Sequence, residues 1–265
     1  MSDVLHIRDE GHVRTIVMDR PEKKNALSNE LAWGIVTAVE EASRDDSVWV
    51  VAITGTGDAF CSGLDLTGDR EDRSPLSRQG QHMDDIHWVG RFALSLRTIC
   101  DKPIVGGING VAAGAGLSLA MACDIRIGAQ RLRLIAGYPR IGGSPDGGLT
   151  WTLPQAIGYE QAMRFLLENR SVDADEALRL GFVGEVVADD KFDARLAEYC
   201  AFLAERSPIA SRYTKRGIVR ATTMPDLESQ LRFELANIQR AFQTNDAAEA
   251  RKAFFEKRQP VFKGA

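Results

Sequence analysis

Two nearly continuous apolar runs constrain the fold more than any other feature of the sequence. They are VWVVAITG (48–55) and KPIVGGING (102–110), both short and rich in β-branched residues, and each is followed by glycine-rich chain. Uninterrupted apolar strands are typical of parallel sheets that are covered on both faces. Helical periodicity occurs at 29–42, 83–99 and 113–124. This alternation of strands and helices predicts an α/β layered core.

Shorter patterns extend this prediction. VLHIR (4–8) and VRTIVMD (13–19) flank a turn and predict a hairpin, while IRIGA (125–129), LRLIA (132–136) and FVGEVVA (182–188) predict further strands. The polar stretch 67–80 predicts a mobile loop. From Leu149 onward helices dominate, and residues 225–257 form a charged helical stretch.

Composition excludes several classes of function. The 265 residues carry a net charge of −4, so no basic excess favours nucleic acid. No apolar run is long enough to span a membrane, and the first residues do not have the pattern of a signal peptide, so we expect a cytoplasmic protein. No CxxC pair and no metal-ligand spacing link the histidines to the cysteines, which are Cys61, Cys100, Cys123 and Cys200. We therefore expect reduced thiols and no bound metal.

Two glycine-rich turns share one design. AFCSGLDL (59–66) and INGVAAGAGLSL (108–119) each follow an apolar strand and precede a predicted helix. Unpaired backbone amides at such helix starts bind negative charge, and two of them aimed at one oxygen form an oxyanion hole. The candidate donors are the amides of Leu64 and Ala115. The alternative is that Gly63, Gly114 and Gly116 only permit close packing of helix on strand.

Four segments together resemble the enoyl-CoA hydratase/isomerase family, the crotonase superfamily. They are RPEKKNAL (20–27), ITGTGDAFCSGLDL (53–66), KPIVGGINGVAAGAGLSLAMACDIRI (102–127) and AFFEKRQPVFKG (253–264). The resemblance runs over nearly the whole chain. It implies an α/β fold, a crotonase-like spiral of β-β-α turns, with a core at 1–198 and a C-terminal helical trimerisation region at 199–265. It also implies self-association to a trimer or hexamer.

The same resemblance implies an enzyme of fatty acid metabolism that acts on acyl-CoA and needs no cofactor, since coenzyme A is part of the substrate. The thioester carbonyl would lie between the Leu64 and Ala115 amides. The resemblance suggests that Arg20 and Lys24 lie near the CoA phosphates, and that Phe254 and Lys257 complete the CoA site of a neighbouring copy. The other residues assigned to substrate or CoA are Ala59, Ser62, Gly63, Asp65, Leu66, Gly114 and Tyr138.

The chain departs from the family's hydratases at two positions. Those enzymes carry glutamates where this sequence has Ser118 and Tyr138. Asp146, in SPDGG, instead falls where some isomerases of the family carry a working aspartate. One carboxylate suffices to move a double bond, because the proton that it removes from the α-carbon returns to the γ-carbon. The resemblance thus favours an enoyl-CoA isomerase with Asp146 as its acid/base; from local sequence alone, Asp146 also fits a helix N-cap.

Other functions stay open at this point. They are a hydratase with a non-standard acid/base set, another enolate reaction such as C–C bond hydrolysis, and an acyl-CoA binder without catalysis. Asp84 and Asp85, predicted on the helix at 83–99, are candidates for a second acid, although we expect them to be solvated. His82 and His87 carry the same ambiguity. The family's aryl-CoA dehalogenase carries a histidine where this chain has Arg91, which disfavours that reaction.

Overall fold

A computed structural model describes residues 4–67 and 74–265. Within them the strands are β1 (Leu5–Glu10), β2 (Val13–Met18), β3 (Val50–Gly55), β4 (Ala59–Cys61), β5 (Ile104–Ile108), β6 (Val111–Ala113), β7 (Ile125–Ala129), β8 (Arg133–Ile135), β9 (Ser171–Val172) and β10 (Glu185–Val187). The α-helices are α1 (Asn29–Arg44), α2 (Arg78–His82), α3 (His87–Leu94), α4 (Ala115–Ala122), α5 (Leu149–Ile157), α6 (Tyr159–Leu167), α7 (Ala174–Leu180), α8 (Phe192–Ala204), α9 (Pro208–Ala221), α10 (Leu227–Phe242) and α11 (Asn245–Glu256). A π-helical turn, Ser95–Ile99, continues α3, and short 3₁₀ turns lie at Pro21–Lys23, Tyr138–Ile141 and Asp189–Lys191.

The strands form two sheets. The larger has the order β1-β2-β3-β5-β7-β10, in which β1 and β2 are an antiparallel hairpin and every other neighbouring pair is parallel. The smaller has the order β4-β6-β8-β9. Successive turns of chain supply one strand to each sheet, β3 then β4, β5 then β6, β7 then β8. This repeated passage is the mixed α/β spiral that the resemblance implied.

The apolar strands are buried on both faces, as their sequences predicted. In β3, Val51 and Ile53 face the main core with α1 and α4, while Val50 and Ala52 face a second cluster. The second cluster is closed by Phe192, Leu196 and Cys200 of α8. Residues two apart point to the same side of a strand, so one continuous apolar run serves both layers.

Three short strands were not predicted. β4, β6 and β9 have two or three residues each, too few to show a period in sequence. They exist as strands because they pair with one another or with β8, and the paired residues of β8 and β9 are 36 or more positions apart in the chain. A pattern confined to one segment cannot reveal pairing of that kind.

Two boundaries also differ from expectation. The helix predicted at 83–99 begins at His87, so Asp84 and Asp85 precede it. The loop predicted at 67–80 ends in a short helix, α2, whose cap is Ser77; residues 68–73 of that loop lie outside the described residues. The predicted domain boundary at 198/199 falls inside α8, and Lys215 of α9 is buried against the core, so the division into a core and a helical region stays a prediction.

None of the helices in the described part of the chain is long and apolar enough to cross a membrane.

Candidate active site

The two glycine turns, which carry the amides of Leu64 and Ala115, lie against each other. Gly63 has a positive φ of 99° and Gly114 one of 52°, conformations that favour glycine. A Cβ on Gly63 would lie 2.8 Å from the Ala113 carbonyl oxygen and 3.6 Å from the Ala115 amide nitrogen. Leu64 pairs with Leu27 through an isolated parallel bridge in which the amides of Leu27 and Asp65, rather than that of Leu64, donate.

The Ala115 amide is the first of α4, where no carbonyl of the preceding turn is available to it. In the described residues, neither it nor the Leu64 amide donates to a backbone or side-chain acceptor. Two unpaired donors in neighbouring turns have the form of an oxyanion hole. The alternative role of glycine in packing also applies, because a Cβ on Gly116 would lie 2.2 Å from the carbonyl oxygen of Cys61.

The bend that carries Asp146 is pressed against α3. Gly147 and Gly148 both have positive φ, and a Cβ on Gly147 would lie 2.6 Å from Cζ of Phe92. The N-cap of α5 is Gly148, without a side-chain capping bond. The N-cap interpretation of Asp146 is therefore wrong: the side chain does not cap the helix, because it bonds to a tyrosine on another turn.

A chain of hydrogen bonds joins Ser118, Tyr138 and Asp146. The Tyr138 hydroxyl donates to Oδ1 of Asp146 at 2.7 Å and lies 2.9 Å from the Ser118 hydroxyl. The Ser118 hydroxyl also reaches the backbone carbonyl of Asp146 at 3.0 Å and that of Gly114 at 3.3 Å. Ser118 and Tyr138 are buried, whereas Asp146 is exposed in the single chain. Through Tyr138 the carboxylate is thus linked to Ser118, which lies in α4 three residues after Ala115.

Burial raises the pKa of Tyr138 well above its ordinary value of 10, with a further contribution from the neighbouring carboxylate. The phenol therefore stays protonated at physiological pH and acts only as a neutral hydroxyl. Of the three side chains, Asp146 is the one that can accept a proton from a carbon acid.

Arg20 is committed to an internal ion pair. Its guanidinium donates to Oδ2 of Asp65 at 2.8 Å and to the carbonyl of Ala26 at 2.6 Å, and the Asp65 side chain is only 4% exposed. The hydrogen bond from Arg20, with two more from Thr67, lowers the pKa of Asp65 from 3.8 to about 2. This pair fastens the 20–27 loop to the turn that bears the Leu64 amide.

The remaining residues assigned to substrate or CoA lie in different surroundings. Lys24 is exposed, 3.4 Å from Asp58, and its carbonyl accepts the Ser62 amide. Ala59 is fully buried in β4, while Leu66 is 70% exposed. At the far end of the chain Phe254 is 78% exposed, and it lines an apolar groove of about 430 Å³ between α9, α10 and α11.

Lys257, which follows α11, is exposed and has a left-handed backbone. Trp151, in the first turn of α5 after the Asp146 bend, is 52% exposed in the single chain.

The candidate second acids differ from each other. Asp84 is buried and bonded to Arg91, whose hydrogen bond lowers its pKa, so it is an anion and not a proton donor at neutral pH. The expectation that it is solvated was wrong, whereas Asp85 is exposed as expected. His82 and His87 are both exposed. Among residues 4–67 and 74–265, no cluster of three or more potential ligand side chains is placed to hold a metal ion.

Comparison with known proteins identifies the family. Residues 8–265 match the family model described as enoyl-CoA hydratase/isomerase. The chain belongs to this family. Its enzymes act on acyl-CoA thioesters, which confirms the predicted family, fold class and enzyme class.

Individual relatives cover the chain almost completely. It is 34% identical over 251 residues to a probable enoyl-CoA hydratase of Rhodobacter capsulatus, with 94% of this chain and 93% of the other covered. It is 31% identical over 258 residues to 1,2-epoxyphenylacetyl-CoA isomerase of Escherichia coli, with 96% of each covered. The crystal structure of enoyl-CoA hydratase from Bacillus anthracis is 28% identical, with a TM-score of 0.87 and coverage of 99% and 100%.

Sequence reasoning missed two features of this site. It treated Ser118 and Tyr138 as replacements for missing carboxylates, and not as partners of Asp146. The one available signal was that all three fall at positions where the family varies its acid/base groups. It also left Arg20 free to meet phosphate, although the structure pairs its guanidinium with Asp65, 45 residues away in the chain.

Proposed function

We propose that this enzyme is an enoyl-CoA isomerase that shifts a carbon–carbon double bond, with Asp146 as its single acid/base. The observation that carries the proposal is the chain from Ser118 through Tyr138 to Asp146. At the two positions where the family's hydratases carry glutamates, this chain has hydroxyl groups that bond to the third residue. One carboxylate is then available for proton transfer beside two unpaired amides.

The reaction follows from these groups. The Asp146 carboxylate takes a proton from the α-carbon of a 3-enoyl thioester, and the electron pair moves onto the thioester oxygen to give a dienolate. The amides of Leu64 and Ala115 stabilise that oxygen, and each such donor is worth about 10²–10³ in rate. Asp146 then returns the proton to the γ-carbon, which leaves the 2-enoyl product. No water is consumed and no cofactor is required.

Hydration of a double bond needs a different set of acid/base groups. A water molecule must be activated while a carbon is protonated, which usually takes two groups. Ser118 is engaged with neighbouring oxygens, the Tyr138 phenol stays protonated, and Asp84 is held as an anion by Arg91. The isomerase relative at 31% identity agrees with the one-base proposal, and relatives named hydratases make water addition the outcome to test against.

The test uses 3-enoyl-CoA and 2-enoyl-CoA in heavy-oxygen water. The proposal expects double-bond migration with no heavy oxygen in the product. Asp146→Asn should lose about 10²–10⁴ of kcat while still binding CoA, because general acid–base catalysis supplies a factor of that size. Asp190→Asn, which changes an exposed carboxylate that has no assigned role, is the matched control. Heavy oxygen in a 3-hydroxyacyl-CoA would show a hydratase and overturn the proposal.

We also propose that α9, α10 and α11 mediate the predicted self-association. The exposed large apolar side chains on α10 and α11 are 45–81% exposed in the single chain, among them Leu235, Ile238, Phe242 and Phe254. An apolar surface of this kind is typical of a permanent interface. Light scattering after size-exclusion chromatography distinguishes a monomer from a trimer or hexamer, and Phe242→Glu should shift the distribution towards monomer.

A further inference from the structure

The contact between the hydroxyl of Tyr138 and Asp146 fixes where the tyrosine proton points. A tyrosine hydroxyl has one proton to donate, and here it donates to Oδ1 of Asp146 at 2.7 Å. The single proton of Ser118 has three acceptors within reach, which are the Tyr138 oxygen and the carbonyls of Asp146 and Gly114. Oδ1 therefore receives its hydrogen bond from Tyr138, whichever acceptor Ser118 uses.

The other carboxylate oxygen has no such partner. Within the described residues, no hydrogen bond reaches Oδ2 of Asp146. The backbone of the bend is held as well, by the Ser118 hydroxyl on the Asp146 carbonyl and by the tight contact of Gly147 with Phe92. One oxygen of the carboxylate is thus fixed and the other is open.

We propose that Tyr138 is a positioning residue: it occupies Oδ1, so that Oδ2 is the oxygen that exchanges protons with the acyl group. This inference rests on the proposed isomerase function and deepens it. Burial keeps the phenol protonated, so it donates to Oδ1 at neutral pH.

Few other groups hold this bend. Among its described contacts, α3 contributes Phe92 and Ala93 and α4 contributes Ser118, which bonds to the backbone carbonyl of Asp146. Tyr138 is the side chain that bonds to the carboxylate in the described residues. A fall in kcat at unchanged KM after removal of its hydroxyl would therefore report on this hydrogen bond.

The experiment measures kcat, KM and Tm in Tyr138→Phe, with double-bond migration as the reaction. The substitution keeps the buried ring, and the Ser118 hydroxyl retains the carbonyls of Asp146 and Gly114 as acceptors, so no buried donor is left without a partner. We expect kcat at neutral pH to fall about tenfold, as for the loss of one hydrogen bond, with KM within about twofold of wild type. Tyr159→Phe, at a tyrosine that is 72% exposed, should leave kcat and KM unchanged.

The outcomes separate the two proposals. If Asp146→Asn is inactive but Tyr138→Phe keeps the wild-type kcat, the positioning role is refuted and the isomerase proposal stands. A fall in kcat in Tyr138→Phe that comes with a raised KM and a lowered Tm would show a purely structural role, which also refutes it. If Asp146→Asn turns over at the wild-type rate, both proposals are overturned.

Discussion

Gly116 offers the sharpest test of the paired amides. It lies in the first turn of α4, directly after Ala115, and its φ is not positive, so alanine could adopt its backbone conformation without strain. Only space opposes the substitution: the added Cβ would lie 2.2 Å from the carbonyl oxygen of Cys61. Because Cβ contacts below 3.0 Å essentially never occur, α4 and β4 must separate by at least 0.8 Å.

That separation would move the two candidate donors, the amides of Leu64 and Ala115, apart. Ala115 would move with α4, whereas Leu64 follows β4 by three residues. A donor that lies about 2.9 Å from an oxyanion would end near 3.7 Å, outside hydrogen-bond range. Loss of one donor costs about 10²–10³ in kcat, and overpacking costs about 1–3 kcal/mol of stability.

The assay is the steady-state rate of double-bond migration in Gly116→Ala, with Tm by calorimetry and CoA affinity by titration calorimetry. Gly217→Ala is the matched control, because Gly217 is also helical but a Cβ there would meet nothing within 4 Å. We expect this control to keep full activity with equal or slightly higher stability. A folded Gly116→Ala variant with kcat within about threefold of wild type would refute the assignment of the oxyanion hole.

Three further predictions concern stability and reactivity. Since Arg20 lowers the pKa of Asp65 from 3.8 to about 2, the stability contributed by that carboxylate is complete above about pH 4 and is lost as pH falls towards 2. Asp65→Asn should be about 2 kcal/mol less stable at pH 7 in urea unfolding and should lose less stability than wild type between pH 5 and pH 3; equal slopes would contradict the ion pair. The buried ammonium of Lys215 donates to the carbonyls of Leu96 and Lys102 and pairs with Asp124 at 2.7 Å, so Lys215→Ala should cost about 3 kcal/mol, whereas exposed Lys252→Ala should change stability by less than about 0.5 kcal/mol. The four cysteines are buried, and burial raises the pKa of each thiol, so a thiol reagent at pH 8 should label none within minutes and all four after unfolding; rapid labelling of the native protein would contradict their burial.

The sequence was informative wherever the signal lay within one segment. The apolar runs predicted β3 and β5, the periodicity at 29–42 predicted most of α1, and the turn residues predicted the hairpin of β1 and β2. Glycine spacing located both turns that carry the Leu64 and Ala115 amides. The resemblance supplied the family, which the comparisons confirmed.

The side-chain contacts inside the site were harder to predict from the sequence. Local sequence favoured a helix cap for Asp146, and only the resemblance pointed to a base. Neither could show that Tyr138 donates to it, since the two residues are eight apart and lie on a 3₁₀ turn and a glycine bend. The predicted roles of Lys24, Phe254 and Lys257 in CoA binding stay predictions, as does the identity of the acyl group.

Sequence by itself therefore determined the succession of strands, glycine turns and helices, because hydrophobic period and turn chemistry act between neighbouring residues. Tertiary structure alone decided which polar groups meet. Arg20 pairs with Asp65, which is 45 residues away in the chain, and the Ser118 hydroxyl donates to the Asp146 carbonyl, which is 28 residues away. Hydrogen bonds and ion pairs act over about 3 Å whatever the separation along the chain, so the partner of a short polar side chain is a property of the fold and not of the segment that carries it.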